Sequence, residues 1–149
     1  MIKNPLFHSL TLAALLLAGA GCAPRQTPDT TADQVTILVS SEDPAKYCNG
    51  ADMDSVGYAR TIREEKTVTL PGPSQSGAGL AKTIAVLATS GQCQEALKQL
   101  DFTLTGDTVK IPPIDGWAGV SIALCSCKPR VETNLLRLSG IKNVVWESN

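Results

Sequence analysis

The residues best suited to chemistry in this chain of 149 are its five cysteines, at positions 22, 48, 93, 125 and 127. Thiols serve three purposes: metal ligation, redox exchange and covalent stapling. A structural zinc site with four cysteines brings its ligands in close pairs such as C-x-x-C. Here only Cys125 and Cys127 are close, with Ser126 alone between them. A redox dithiol also prefers two intervening residues and a helix amino terminus that lowers one thiol pKa, whereas Cys125-Ser126-Cys127 closes an apolar run, GVSIALCSC, that reads as a strand. The structural use remains. In an extended strand Cys125 and Cys127 share a face about 6.5–7 Å apart, too far to bond each other. Their partners are then Cys48 and Cys93, with both connectivities open: Cys48–Cys125 with Cys93–Cys127, or Cys48–Cys127 with Cys93–Cys125.

The single histidine, His8, lies in the apolar amino-terminal segment. The rest of the chain therefore lacks the base of a Ser-His-Asp or Cys-His nucleophile and the ligand of a histidine-bound zinc or copper site. No convergent catalytic set, metal site or cofactor is implied. Asp52 and Asp54, with Glu42 and Asp43 nearby, could offer carboxylate oxygens to a hard cation, but their spacing does not match a calcium loop and a solvated acidic turn is expected. Gly77-Ala78-Gly79-Leu80-Ala81-Lys82-Thr83 lacks the G-x-x-x-x-G-K-[ST] pattern of a phosphate loop. Trp117 and Trp146 read as core or strand-edge residues rather than ligand platforms. Thirteen Lys and Arg against fourteen Asp and Glu, scattered rather than clustered, give no basic field for nucleic acid.

The opening MIKNPLFHSLTLAALLLAGAGC has one cation, an apolar run over residues 6–18, and small residues before Cys22, the pattern of an export signal. The run is shorter than the roughly 20 apolar residues a membrane-spanning helix needs, and His8 and Ser9 interrupt it. Leu17-Ala18-Gly19-Ala20-Gly21-Cys22 resembles a bacterial lipoprotein signal, in which the Cys receives a diacylglyceryl thioether and acyl chains such as palmitate and becomes the new amino terminus. Gly19 stands where that family usually has Leu. Ordinary cleavage after Ala20, at the A-x-A site Ala18-Gly19-Ala20, is the alternative. Giving Cys22 to lipid leaves four cysteines, an even set suited to an oxidising compartment. The polar stretch that follows, APRQTPDTTAD, reads as a tether. The expected organisation is thus a signal peptide over residues 1–21, a lipidated Cys22 and tether over 22–33, and one domain over 34–149, which is an ordinary domain size.

Within that domain VTILV reads as a buried strand, residues 56–62 (VGYARTI) as a second strand with REEK as its exit and TVTL as an extension, and PGPSQSGAG as a loop. GLAKTIAVLATSG predicts a helix with Leu80, Ile84, Leu87 and Ala88 on one face and Gly91 as its stop. Residues 92–100 predict a short helix facing inward through Cys93, Ala96, Leu97 and Leu100. FTLTGDTVKI predicts a hairpin turning at Gly106-Asp107, and GVSIALCSC a further strand. After Pro129, RVETNLLRLSG predicts a helix facing inward through Val131, Leu135 and Leu138 with Gly140 as its stop, and IKNVVWES a closing strand. The order β-β-α-β-β-β-α-β predicts an α+β fold: a mainly antiparallel sheet with two or three helices packed on one face.

That order resembles the GerMN domain, a module first named in spore-germination proteins and also found in bacterial envelope lipoproteins. The best-matching piece is Asn134-Leu135-Leu136 through Ser139-Gly140-Ile141-Lys142-Asn143-Val144-Val145, with weaker matches at Arg60 and near Leu80. Ser90-Gly91-Gln92-Cys93 and Cys125-Ser126-Cys127 depart from the family's pattern. The resemblance implies a non-catalytic binding or structural module that contacts other envelope proteins or cell-wall components, and it carries over no site residues. The expected location is the cell membrane or outer membrane, lipid-anchored and facing the extracytoplasmic space. The competing expectation is a histidine-free envelope hydrolase or thiol-redox protein.

Overall fold

In a computed structural model that describes residues 34–49, 53–72, 75–115, 117 and 122–148, the β-branched run Gln34–Val39 forms β1. It pairs antiparallel with β2, Glu64–Thr69, from Gln34 opposite Thr69 to Val39 opposite Glu64. The hairpin expected around Gly106-Asp107 is present as β3, Thr103–Thr105, and β4, Thr108–Ile111, with Gly106 at φ +61°. A positive φ is cheap for glycine and costly for other residues. The closing strand β5, Asn143–Trp146, joins the other edge of β4 in parallel. Among the described residues two of the three strand pairings are antiparallel, and together with four α-helices they make an α+β fold whose strands lie in two sheets, β1-β2 and β3-β4-β5.

Two segments change type. Residues 56–62, expected as a strand, instead hold the short helix α1, Ser55–Ala59, and the strand begins later, at Glu64. The cause is local: the Asp54 carboxylate accepts a hydrogen bond of 2.7 Å from the Gly57 N–H and caps the first turn. Tyr58, fully buried, then anchors the turn. The second change matters more. GVSIALCSC was expected as a strand, yet Ile122–Leu135 is one helix, α4, with Pro129 inside it. Pro129 suggests a helix boundary because an interior proline loses one backbone hydrogen bond and costs about 3 kcal/mol. Stapling by two disulfides, described below, offsets a cost of this size.

The helices α2, Gly77–Leu87, and α3, Gly91–Gln99, match the expected positions. The face of α2 that is fully buried is Ala81, Ile84, Ala85 and Ala88, rotated slightly from the expected one, with Leu80 and Leu87 half-buried. Gly91 is not the stop of α2 but the first residue of α3, with φ +60°. The stop is made by side chains: the Thr89 hydroxyl donates to the Ala85 carbonyl at 2.9 Å, and the Gln94 amide donates to the Val86 carbonyl at 3.0 Å. Carbonyls at a helix end need such partners. Farther along, α4 already ends at Leu135, so Gly140 is not its stop; at φ +88° it turns the chain into β5.

Burial falls into two clusters. The larger gathers Ile37 from β1, the inner faces of α2 and α3, Val109 and Ile111 from β4, and Cys127, Val131 and Leu135 from α4. The smaller consists of Cys48, Tyr58, Ile62 and Cys125. Helix α4 belongs to both. Asn134, 3 % exposed, fastens it to the first sheet: its carbonyl oxygen accepts from the Leu38 N–H at 2.7 Å, and its amide donates to the Leu38 carbonyl at 2.9 Å. One side chain thereby satisfies both backbone groups of a residue on β1 as a neighbouring strand would.

Candidate binding groove beside a disulfide

Cysteine spacing on a helix differs from spacing on a strand. Two residues apart on α4, Cys125 and Cys127 are separated by about 200° around the axis rather than sharing a face. Cys125 accordingly bonds Cys48 and Cys127 bonds Cys93, with Cα–Cα separations of 5.7 and 5.8 Å. Of the two open connectivities this is the first. The expectation that Cys125 and Cys127 do not bond each other holds, but its reason is corrected: they point apart instead of standing side by side on a strand. All four thiols are consumed in long-range bonds. Cys22 lies outside the described residues.

Between α1 and α4 lies a groove of about 490 Å³, within the range of ligand clefts. Met53, Val56 and Ala59 form one wall; Leu124, Pro129 and Leu136 form the apolar part of the other. Val56 and Leu136 are 62 % and 49 % exposed. Cys125 also lines the groove, so the Cys48–Cys125 bridge lies at its wall. The polar lining is Ser55, Lys128, Glu132 and Thr133. Glu132 accepts from the Trp146 indole N–H at 3.1 Å and lies 3.7 Å from the Lys128 ammonium. Pro129 supplies no N–H to the Cys125 carbonyl, the acceptor one turn earlier.

Arg130 joins α1 to Ser90, the residue before α3. Its Nε donates to the Tyr58 hydroxyl at 2.6 Å, its Nη1 donates to Ser90 Oγ at 3.2 Å, and its guanidinium carbon lies 5.4 Å from the centre of the Tyr58 ring. Arg130 directly follows Pro129, and the helical register that runs from Ile122 is what places it against α1.

The acidic residues do not converge. Asp43 accepts from the Ala45 N–H and caps the short 3-10 helix Pro44–Lys46, Asp54 caps α1, and Glu42 pairs with Lys46 at 2.6 Å. That hydrogen bond and the carboxylate charge hold the Lys46 ammonium above its ordinary pKa. Asp52 lies outside the described residues. Among the described residues no three His, Cys, Asp or Glu side chains group as metal ligands, and no helix is long and apolar enough to cross a membrane. The glycines of the former phosphate-loop candidate, Gly77 and Gly79, open α2. Trp117 and Trp146 are half-buried against the larger cluster. Comparison of the chain with protein-family models, with curated proteins and with solved structures gave no match.

Proposed function

We infer that this chain is a lipid-anchored protein of the bacterial envelope, exported by residues 1–21, acylated at Cys22 and tethered through residue 33 to a GerMN-like α+β domain over residues 34–149. Its role in this reading is non-catalytic: the α1–α4 groove receives a segment of another envelope protein or a cell-wall component. The observation that carries the reading is the use of the cysteines. Two long-range disulfides take Cys48, Cys93, Cys125 and Cys127, which argues for an oxidising compartment and accounts for four of the five cysteines, Cys22 being the fifth. A lone thiol directly after an apolar, small-residue segment is what lipid attachment requires. One acyl chain holds weakly, and the two or three chains of lipoprotein processing give a stable anchor.

Mass spectrometry of the mature amino terminus tests the anchor: a diacylated or triacylated Cys22 is expected, and a species starting at Gly21 with a free thiol would leave only secretion. In an outer-membraned bacterium Ala23 after the Cys favours sorting to the outer membrane, and fractionation wholly to the inner membrane would count against it. The binding role is tested by mild crosslinking of solubilised membranes, comparing the native chain with Val56→Asp and Leu136→Asp, which place charge in the groove without touching the buried clusters. Loss of a discrete crosslinked complex in both variants is expected. Turnover of a peptidoglycan or protein substrate by the purified chain would favour the hydrolase instead.

A further inference from the structure

The two disulfides stand in different surroundings. Cys93–Cys127 lies in the larger cluster, between α3 and α4, with Leu97, Val131 and Leu135 among its buried companions. Cys48–Cys125 lies in the smaller cluster, where among the described residues the other buried apolar side chains are Tyr58 and Ile62, with Leu38, Tyr47 and Met53 half-buried against them. Exposure does not separate the bridges, since Cys125 is 6 % and Cys93 8 % exposed. The amount of structure that must move does. The stretches over residues 44–49 and 53–62 hold a three-residue 3-10 helix and the five-residue α1, both far too short to persist without tertiary support. Besides the bridge, Tyr58 ties this stretch to α4 through its hydrogen bond and ring contact with Arg130. Segments with few buried apolar contacts open at low free-energy cost, and packed cores do not.

We propose that Cys48–Cys125 is a reducible latch on the α1–α4 groove: a dithiol opens it selectively, α1 leaves α4, and the groove is lost while Cys93–Cys127 and the larger cluster persist. Calling the lost feature a binding site rests on the function inferred above; the latch itself does not. One thiolate of the dithiol attacks Cys125 Sγ, which lines the groove wall, and the electron pair of the broken S–S bond passes to Cys48 Sγ, which takes up a proton. The second thiol of the reagent then attacks its own sulfur in the mixed disulfide, releasing Cys125, which is protonated in turn. The dithiol leaves as its internal disulfide, so two electrons and two protons have passed to the protein.

Titrating the full-length, detergent-solubilised chain with limiting dithiothreitol, trapping thiols with N-ethylmaleimide and mapping the peptides tests the latch. A species alkylated at Cys48 and Cys125 but still joined through Cys93–Cys127 should accumulate first. In it, amides over residues 55–62 should exchange with deuterium at least tenfold faster, while those of Ile84 and Leu97 keep their protection. Cys48→Ala with Cys125→Ala should reproduce that exchange pattern without reductant. Simultaneous loss of both bridges, prior loss of Cys93–Cys127, unchanged protection over 55–62, or a double variant unfolded throughout would each overturn the latch. No partner takes part in these readouts, so they stand or fall apart from the crosslinking test of the groove.

Discussion

Replacing Asn134 tests whether a single amide holds α4 against β1. In Asn134→Leu the side chain keeps its approximate volume but loses both bonds to Leu38, the N–H bond of 2.7 Å and the carbonyl bond of 2.9 Å. Each buried backbone group left without a partner costs about 1–3 kcal/mol. Two such groups, partly offset by the added apolar burial, give an expected loss of about 2–4 kcal/mol. Asn134→Asp is the sharper variant, because it keeps an acceptor for the Leu38 N–H and removes the donor to the Leu38 carbonyl. A carboxylate facing a carbonyl oxygen at a site 3 % exposed favours its protonated form, so its folded-state pKa lies above the unfolded value of about 3.9. The native state then binds the proton more tightly than the unfolded chain. Its stabilising contribution is complete below the unfolded pKa and is lost as pH rises through the folded pKa. The deficit of Asn134→Asp relative to the native chain should therefore grow between pH 4 and pH 7, and that of Asn134→Leu should stay flat. Urea unfolding of the disulfide-intact chain at both pH values measures this. A loss below about 0.5 kcal/mol for Asn134→Leu, the ordinary range of surface substitutions, would refute the role given to the amide, as would a pH-independent Asn134→Asp.

The loops closed by the two bridges, with sequence separations of 77 and 34, each correspond to about 4 kcal/mol of chain entropy. Cys93→Ser should therefore lower the melting temperature by calorimetry and leave Cys127, not Cys125, as the thiol found by alkylation. Gly57→Ala places a Cβ against the Asp54 carboxylate and should remove the α1 cap, for a loss of about 1 kcal/mol in urea unfolding. Gly140→Ala meets no atom within 4 Å but must adopt φ +88°, so a loss of about 1–2 kcal/mol from backbone strain alone is expected in the same assay. Pro129→Ala restores a donor for the Cys125 carbonyl and should raise the urea midpoint, by up to about 3 kcal/mol in stability.

What could be read in advance divides along physical lines. The hairpin at Gly106-Asp107, the helices around Ile84 and Leu97, and the inward residues Val131 and Leu135 were legible because each rests on local periodicity or turn chemistry. Residues 56–62 and GVSIALCSC were not. Both runs are apolar enough to suit either a strand or a buried helix, and for short apolar runs periodicity does not arbitrate. In the first, capping by Asp54 and burial of Tyr58 against α4 decided for helix. In the second, Pro129 pointed toward a boundary that covalent stapling overrode.

The groove is not visible in the sequence because the apolar run before Cys127 suits a strand as well as a helix. On a strand, Cys125 and Cys127 would serve one face, and both bridges would enter one core. On α4 they serve opposite sides, so one bridge closes the larger cluster and the other draws Cys48 and α1 onto the helix. The same register sends Arg130 toward Tyr58 and Ser90, Asn134 toward Leu38, and Lys128, Glu132 and Leu136 into the groove. A strand would have offered these residues only two directions. The groove is therefore a consequence of helical spacing along α4: residues 124, 125, 128, 129, 132, 133 and 136 line one stripe of it, the i, i+3, i+4 pattern of a helix face, and that stripe includes a cysteine whose partner carries the opposite wall.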